Sequence, residues 1–470
     1  MPDTVSNSPK QKNKQTNNNN QTHKNMKIVT QISAALLALG IVSQAGADPV
    51  VYVTGSTAFR STAMTAILNN TGTNNGAVFD AGSVTYVTYG NSAATSCNYA
   101  AVHGTIGGSP VYLDCAWSGS EAGIASACNA SLQNQDRNGN SIPLAGSPET
   151  WLNVSNVTLN GSVISTNPPS SVMESGSHGA DLAQADTSQA VSWTPFVANT
   201  STALKDFGVE GIVTFTISRN NQSGNSGSGI PTGASNEWAD CGNITLPQMN
   251  TLLSQGALPA GFISGNTNDN DFTVYLVGRN LGSGTRMNML GDSTYGAHRP
   301  VQQYSIGYGI EETPHQNALI LTNEGNNGYE SGGDVAKALG ILGSCQQADP
   351  FNGGTGWFAV GYVGPSDALN ASGNFGGAPT NCWLTVDGVL SSNGAIENGT
   401  WWYWGHEHLL GKYQISGIAL TMGNSLFNGL VTTLSTLNLG ANPNSHDPAI
   451  QNSLMNVHKS SDVAFPLPGQ

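Results

Sequence analysis

The stretch Val274-Tyr275-Leu276-Val277-Gly278-Arg279-Asn280-Leu281-Gly282-Ser283-Gly284-Thr285-Arg286 decides how this chain is read. Val274 to Val277 is an apolar run with strand character. Gly282 to Thr285 is a small-residue turn, and a helical pattern continues through Arg286, Met287, Asn288 and Leu290. A strand, a tight turn and a helix start gather backbone N–H groups at one point, where the helix dipole adds partial positive charge. Glycines let an anion approach the backbone, hydroxyls add donors, and Arg279 can offer a bidentate fork. That combination makes an oxyanion receptor. Taken alone, the same turn also suits a plain strand–helix connection.

A second turn of the same kind lies more than two hundred residues upstream. Val50-Val51-Tyr52-Val53 reads as a strand, Thr54-Gly55-Ser56-Thr57 as a turn, and Ala58 to Ile67 as a helix. Two hydroxyl-rich helix starts so far apart in sequence can face one ligand from two domains. Other elements follow the same rhythm. Pro247 after Thr245 opens a helix over Leu246–Leu253, Ser331 opens one into Leu339, and Val209–Ser218 and Phe358–Val363 read as strands. Alternating strands and helices predict an α/β chain.

The 470 residues suffice for two or three domains, with only 9% charged residues, 38% hydrophobic residues and 58 glycines. Residues 1–25 read as a polar disordered extension. Residues 26–47 read as a signal peptide, with Lys24 and Lys27 before an apolar run and Ala45-Gly46-Ala47 as the cleavage site; a membrane anchor is the competing reading. Loss of residues 1–47 leaves 10 basic against 28 acidic residues, a balance of −18. Such a surface disfavours nucleic acid and anionic lipid, but not a small anion held by local dipoles and one or two arginines. Six cysteines and an exported chain predict disulfides: one among Cys97, Cys115 and Cys128, and a second joining Cys345 to Cys382, although sequence cannot choose among 15 connectivities.

These motifs, in this order, resemble the phosphate-binding members of the type 2 periplasmic binding proteins, the substrate-binding components of phosphate ABC transporters. The resemblance rests on Val53 to Phe59, on Ser118-Gly119-Ser120-Glu121-Ala122-Gly123, on Ala183-Gln184-Ala185-Asp186 and on Arg279 to Thr285, over roughly residues 48–370. It implies a two-lobe α/β fold with a hinge and an interlobe ligand cleft. The implied organisation is residues 48–200 in lobe 1, with a Gly/Ser/Asn-rich insertion at about 70–175, residues 201–360 in lobe 2, and residues 361–470 returning to lobe 1, beginning with Gly361-Tyr362-Val363. The implied ligand contacts are Ser56, Thr57, Ala58, Ser120, Asp186, Arg279, Ser283, Gly284 and Thr285. Asp186 would accept a hydrogen bond from a protonated phosphate oxygen, a donor that sulfate at neutral pH lacks. Arg60 and Arg286 follow the two turns and suit either added charge or a surface position. The pattern departs at Leu281, where the family carries an acid that holds the arginine; either another group orients Arg279 or the site has drifted.

The function implied is capture of phosphate or a related oxyanion, by a monomer without cofactor, for delivery to an ABC permease. The rival reading is a secreted structural or adhesion protein that keeps the fold without ligand. An enzyme is not expected, because neither a nucleophile with its base nor a G-x-S-x-G turn occurs. His406-Glu407-His408 lacks a third metal ligand at helical spacing and reads as packing. Asn134 to Asn140 resembles a calcium loop, but Ala145 stands where the last acid belongs, so it reads as an Asx-rich turn. The cluster Trp401-Trp402-Tyr403-Trp404 suits core or interlobe packing better than sugar stacking.

Overall fold

The computed structural model describes residues 47–128, 149–192, 203–220, 241–308, 319–340, 351, 356–373 and 383–468. The expected signal segment up to Gly46, the Asn134–Asn140 turn and the Cys345–Cys382 pair lie outside the described residues.

The fold is mixed α/β, built on two separate sheets. Strand β1 (Val50–Gly55) lies inside a nine-stranded sheet. The strands beside it in sequence are β2 (Thr85–Tyr89), β3 (Tyr99–Ile106), β4 (Ser109–Ala116), β5 (Ser162–Ile164), β6 (Leu182–Ala185) and β7 (Lys205–Thr214). A four-stranded sheet holds β8 (Thr216–Arg219), β9 (Ala257–Pro259), β10 (Phe272–Val277) and β11 (Gly356–Val363). The chain then rejoins the large sheet through β12 (Trp404–Gly411) and β13 (Ala449–Ile450). The large sheet runs β13-β7-β12-β6-β1-β4-β3-β2-β5, and the small one β8-β11-β10-β9.

β1 pairs parallel with both β4 and β6, so Val53 faces Cys115 on one side and Leu182 on the other. Every residue of β10 is buried, as its unbroken apolar run requires for a strand inside a covered sheet. The helices that matter for the site are α1 (Arg60–Leu68), α2 (Ser120–Ala127), α3 (Leu246–Gln255), α4 (Gly284–Asp292), α5 (Gly332–Leu339) and α6 (Pro365–Gly373). Thr245 caps α3 in a full capping box with Gln248, and Ser331 caps α5.

The β run expected from Val209 to Ser218 is two strands broken at Phe215, where the chain changes sheets. Phe215 is fully buried against Tyr403, ring centroids 4.8 Å apart. Its carbonyl accepts from Trp401 Nε1 at 3.0 Å and Ser391 Oγ at 3.2 Å. Side chains from the returning limb thus satisfy the carbonyl at the break. The Trp401–Trp404 cluster does packing work at this crossing, and Trp401, Tyr403 and Trp404 are fully buried.

Three sequence expectations change. Gly361–Val363 does not return to the first lobe: it ends β11, where Gly361 pairs with Val277 and Ser218 in the small sheet. The region from about 70 to 175, read as an insertion, is in part integral to the large sheet: β2, β3 and β4 extend it, with β3 and β4 paired as an antiparallel hairpin. Cys97, Cys115 and Cys128 form no bridge, and each is a free thiol. Burial pushes Cys97 and Cys128 up to about 12, and Cys115 is raised as well, which withholds the thiolate that disulfide exchange needs. Among the described residues no helix is long and apolar enough to cross a membrane.

The C-terminal segment is fastened by a buried ion pair. Lys459 Nζ lies 2.7 Å from Asp292 Oδ2 at the end of α4, and both side chains are fully buried. The ammonium also bonds the Trp404 carbonyl and sits 4.3 Å from the Trp404 ring centroid. Burial raises the Asp292 carboxyl to about 8 and lowers Lys459, and each partner offsets part of the other's desolvation. Lys459→Met strands that carboxyl and should cost about 3–5 kcal/mol in urea unfolding, whereas Lys459→Met with Asp292→Leu should recover most of the loss. Equal loss in the single and double variants would contradict this account.

Candidate functional site

The site grows from backbone closeness. β1 ends at Gly55, with φ +122, and a Cβ there would lie 1.9 Å from the Gln184 carbonyl of β6. Only glycine allows the turn. Ser56 N donates to that same carbonyl at 2.8 Å, and Ser56 Oγ accepts from Phe59 N at 3.2 Å. Gly119 N donates to the Gly55 carbonyl at 2.8 Å, which seats the start of α2 beside the β1 turn. The turn after β10 arrives from the small sheet. Its Gly282 carbonyl accepts from Glu121 N at 3.0 Å and Ala122 N at 3.3 Å. Ser283 then caps α4 by accepting from Arg286 N at 3.3 Å. The starts of α2 and α4 therefore meet, although their sequences lie far apart.

Asp186 follows β6 directly and is 1% exposed. Its N–H donates to Ser120 Oγ at 3.3 Å, and its carbonyl accepts from Asn288 Nδ2 at 2.8 Å. A Cβ on Gly284 would sit 1.5 Å from Asp186 Oδ1 and 2.8 Å from Ser120 Cβ, so the first turn of α4 touches the carboxyl only because position 284 has no side chain. Asp186 Oδ1 has no hydrogen-bond partner among the described residues. Burial raises this carboxyl to about 6, against the pull of Ser120 and Arg279.

Arg279 is 2% exposed. Its Nη2 donates to Thr57 Oγ1 at 3.2 Å and to the Glu330 carbonyl at 2.7 Å, and its backbone N donates to Tyr362 OH at 3.2 Å. Its Nε has no partner among the described residues. Leu281 is buried in the apolar core, so the residue two positions on cannot hold the guanidinium. Asp367, on α6, takes that electrostatic role: burial lowers Arg279, and Asp367 is the largest charge restoring it. Asp367 Oδ2 and Arg279 Nη1 both lie over Gly332.

The structure thus brings Ser56, Thr57, Ser120, Asp186, Arg279, Ser283, Gly284 and Thr285 together. Ala58 borders the same turn on the wall of a cavity of about 780 Å³. That wall also carries Thr57, Arg60, Glu330, Lys337 and Asp367, whereas Ser120, Asp186, Arg279 and the Ser283–Thr285 turn are buried and do not line it. Arg60 reaches Asn98 Oδ1 at 2.9 Å. Arg286 is fully buried and donates to the Arg279 carbonyl at 3.1 Å and the Asn326 carbonyl at 2.8 Å, which makes it framework for the turn.

Sequence reading missed four contributors. Tyr403 OH donates to the Thr285 carbonyl at 2.9 Å, Asn288 ties Asp186 to α4, and Asp367 faces Arg279. The fourth is Glu407, fully buried, whose carboxyl is raised well above its usual range by burial and by the neighbouring Asp186 and Glu210. Glu407 sits inside the His-x-His motif, and strand alternation sends it to the opposite face from the histidines.

Solved structures with a similar chain path include a phosphate-bound Clostridium perfringens protein described as a phosphate ABC transporter substrate-binding protein (12% identity, TM-score 0.40, covering 86% of this chain and 99% of that one). PstS from Borrelia burgdorferi matches at 11% identity and TM-score 0.31, over 80% of this chain and 91% of that one. An ABC-type phosphate transport receptor from Vibrio cholerae matches at 11% and 0.34, over 80% and 93%. No family model matches the chain, and comparison with curated proteins finds no relative.

The Asp186 environment has a stability consequence. Its folded value lies above the ordinary 3.8, so the folded state holds the proton more tightly than the unfolded chain does. The penalty is absent below about 3.8, grows as pH rises, and is complete above about 6. At neutral pH it amounts to roughly 3 kcal/mol. Asp186→Asn should therefore stabilise the ligand-free protein at pH 7.5 and give little gain at pH 4, as read by urea unfolding at both values. A pH-independent difference would refute this assignment.

Proposed function

We propose that the protein captures a protonated tetrahedral oxyanion, phosphate foremost, between the Gly55–Thr57 turn, Ser120 and Asp186 on one side and the Arg279–Thr285 turn on the other. The observation that carries this reading is Asp186: a buried carboxyl whose Oδ1 is unpartnered among the described residues and pressed against the start of α4. An anion at that helix start meets the first-turn N–H groups of Gly284 and Thr285, which have no carbonyl four residues back within the helix. Arg279 supplies the charge and Thr57, Ala58 and Ser120 supply further donors, while Ser56 and Ser283 hold the two helix starts in shape. A carboxylate beside an anion is repulsive unless a proton lies between them. Hydrogen phosphate carries that proton and sulfate does not, so one buried carboxyl gives both acceptance and rejection.

The same reading takes the two sheets as two lobes that close on the ligand. Export through residues 26–47 and delivery to an ABC permease complete it.

Calorimetric titration of phosphate-stripped protein tests the proposal. At pH 7.5 phosphate should bind and sulfate should not. Arg279→Ala should weaken phosphate binding by about 2–5 kcal/mol, some thirty-fold or more. Asp186→Asn should lose the preference for phosphate over sulfate, and in the parent protein sulfate binding should emerge as pH falls below about 6, where Asp186 takes up its own proton. A folded protein silent toward phosphate would overturn the proposal and favour a structural or adhesion role.

A further inference from the structure

His406 and His408 lie two residues apart on β12 and project from the same face of the large sheet. Sequence spacing offers them no third partner, but the fold does. Asp462, from the C-terminal segment, places Oδ1 at 3.2 Å from His406 Nδ1 and at 3.2 Å from His408 Nε2. The three donor atoms all lie within 4.8 Å of one another. Around a zinc ion with ligand bonds of about 2.0–2.1 Å, neighbouring tetrahedral donors stand about 3.4 Å apart. Two of the three separations already have that length.

The surroundings orient the donors as metal ligands are usually oriented. Asp462 Oδ2 accepts from Ser188 N at 3.0 Å, which leaves Oδ1 turned to both rings. The other ring nitrogen of His408, Nδ1, lies 3.2 Å from Asp206 Oδ2, an arrangement of carboxylate, histidine and donor nitrogen in line. The side chains of His408 and Asp462 are 10% and 11% exposed, and that of His406 is 19% exposed, so the cluster is sheltered yet reachable from solvent.

We propose that His406 Nδ1, His408 Nε2 and Asp462 Oδ1 form a binding site for a divalent transition metal ion of the zinc class, with Asp206 as the outer carboxylate behind His408. Two imidazoles and one carboxylate suit zinc, nickel or copper better than magnesium or calcium, which prefer all-oxygen sets. The ion would clip the C-terminal segment to the large sheet, independently of the oxyanion site.

The test uses the full chain, stripped with a chelator and titrated with Zn²⁺ against a chromophoric competitor, with Co²⁺ absorption as a second readout. One equivalent should bind the parent, raise its melting temperature and, with Co²⁺, give visible bands of low-coordinate geometry. His406→Ala and Asp462→Ala should each remove that equivalent, Asp206→Asn should keep the stoichiometry with roughly 10–100-fold weaker binding, and His103→Ala should change nothing. Should Asp462→Ala fail to fold, His406→Ala decides alone, since His406 is the most exposed of the three. No Zn²⁺ uptake by the parent, or uptake that survives His406→Ala, overturns the proposal and leaves a hydrogen-bonded His–Asp–His cluster.

Discussion

There is no room for a methyl group between Gly284 and the Asp186 carboxyl. That closeness couples the two sheets, because Asp186 directly follows a strand of the large sheet and α4 springs from the turn after a strand of the small one. It also sets the chemistry. The same burial that removes water from Asp186 raises its carboxyl to about 6. Asn288 Nδ2 spans the junction by donating to the carbonyls of both Asp186 and Gly284. A side chain at position 284 would disturb fold and site together.

Charge is handled sparingly around this contact. Arg279 and Arg286 are both buried; Arg279 Nη2 reaches Thr57 on the β1 turn, while Arg286 donates to the Arg279 and Asn326 carbonyls. The acid that balances Arg279 comes from α6, since Leu281 has joined the core. Beneath them Glu210 and Glu407 are buried carboxyls pushed up by desolvation, and so favour their neutral forms. Asp186 is raised to about 6 by burial, with Ser120 and Arg279 pulling the other way.

What was legible in the sequence follows from the range of the forces involved. Val274–Val277 reads as a strand because burial on both faces demands an unbroken apolar run, Val50–Val53 reads as one although Val50 and Tyr52 are only half-buried, and the Gly-Ser turns after them are legible because they are local. The break at Phe215 was not legible: β propensity continues through it, and the carbonyl it exposes is satisfied by Trp401, 186 residues away. The short β-like runs Val84–Thr88 and Pro110–Leu113 were legible and became β2 and β4, whereas β3 was hidden by small residues such as Ala100 and Ala101, whose burial is decided by sheet neighbours. At the proposed site, the nine residues were named from the resemblance of their short motifs to a known family, whereas Asp367, Tyr403 and Asn288 join them through contacts that only the tertiary fold creates.

The strand Trp404–Gly411 shows how one local rule serves two distant purposes. Alternation sends His406 and His408 to one face, where Asp462 and Asp206 meet them, and Glu407 to the other, beside Asp186 and Glu210. Along the chain, the motif offers two histidines and no third ligand at helical spacing. Read across the sheet, the third ligand arrives on the segment that Lys459 already anchors to Asp292 at the end of α4. Because Asp462 is also bonded to Ser188, two residues beyond Asp186, the C-terminal segment fixes the backbone on both sides of the proposed oxyanion site.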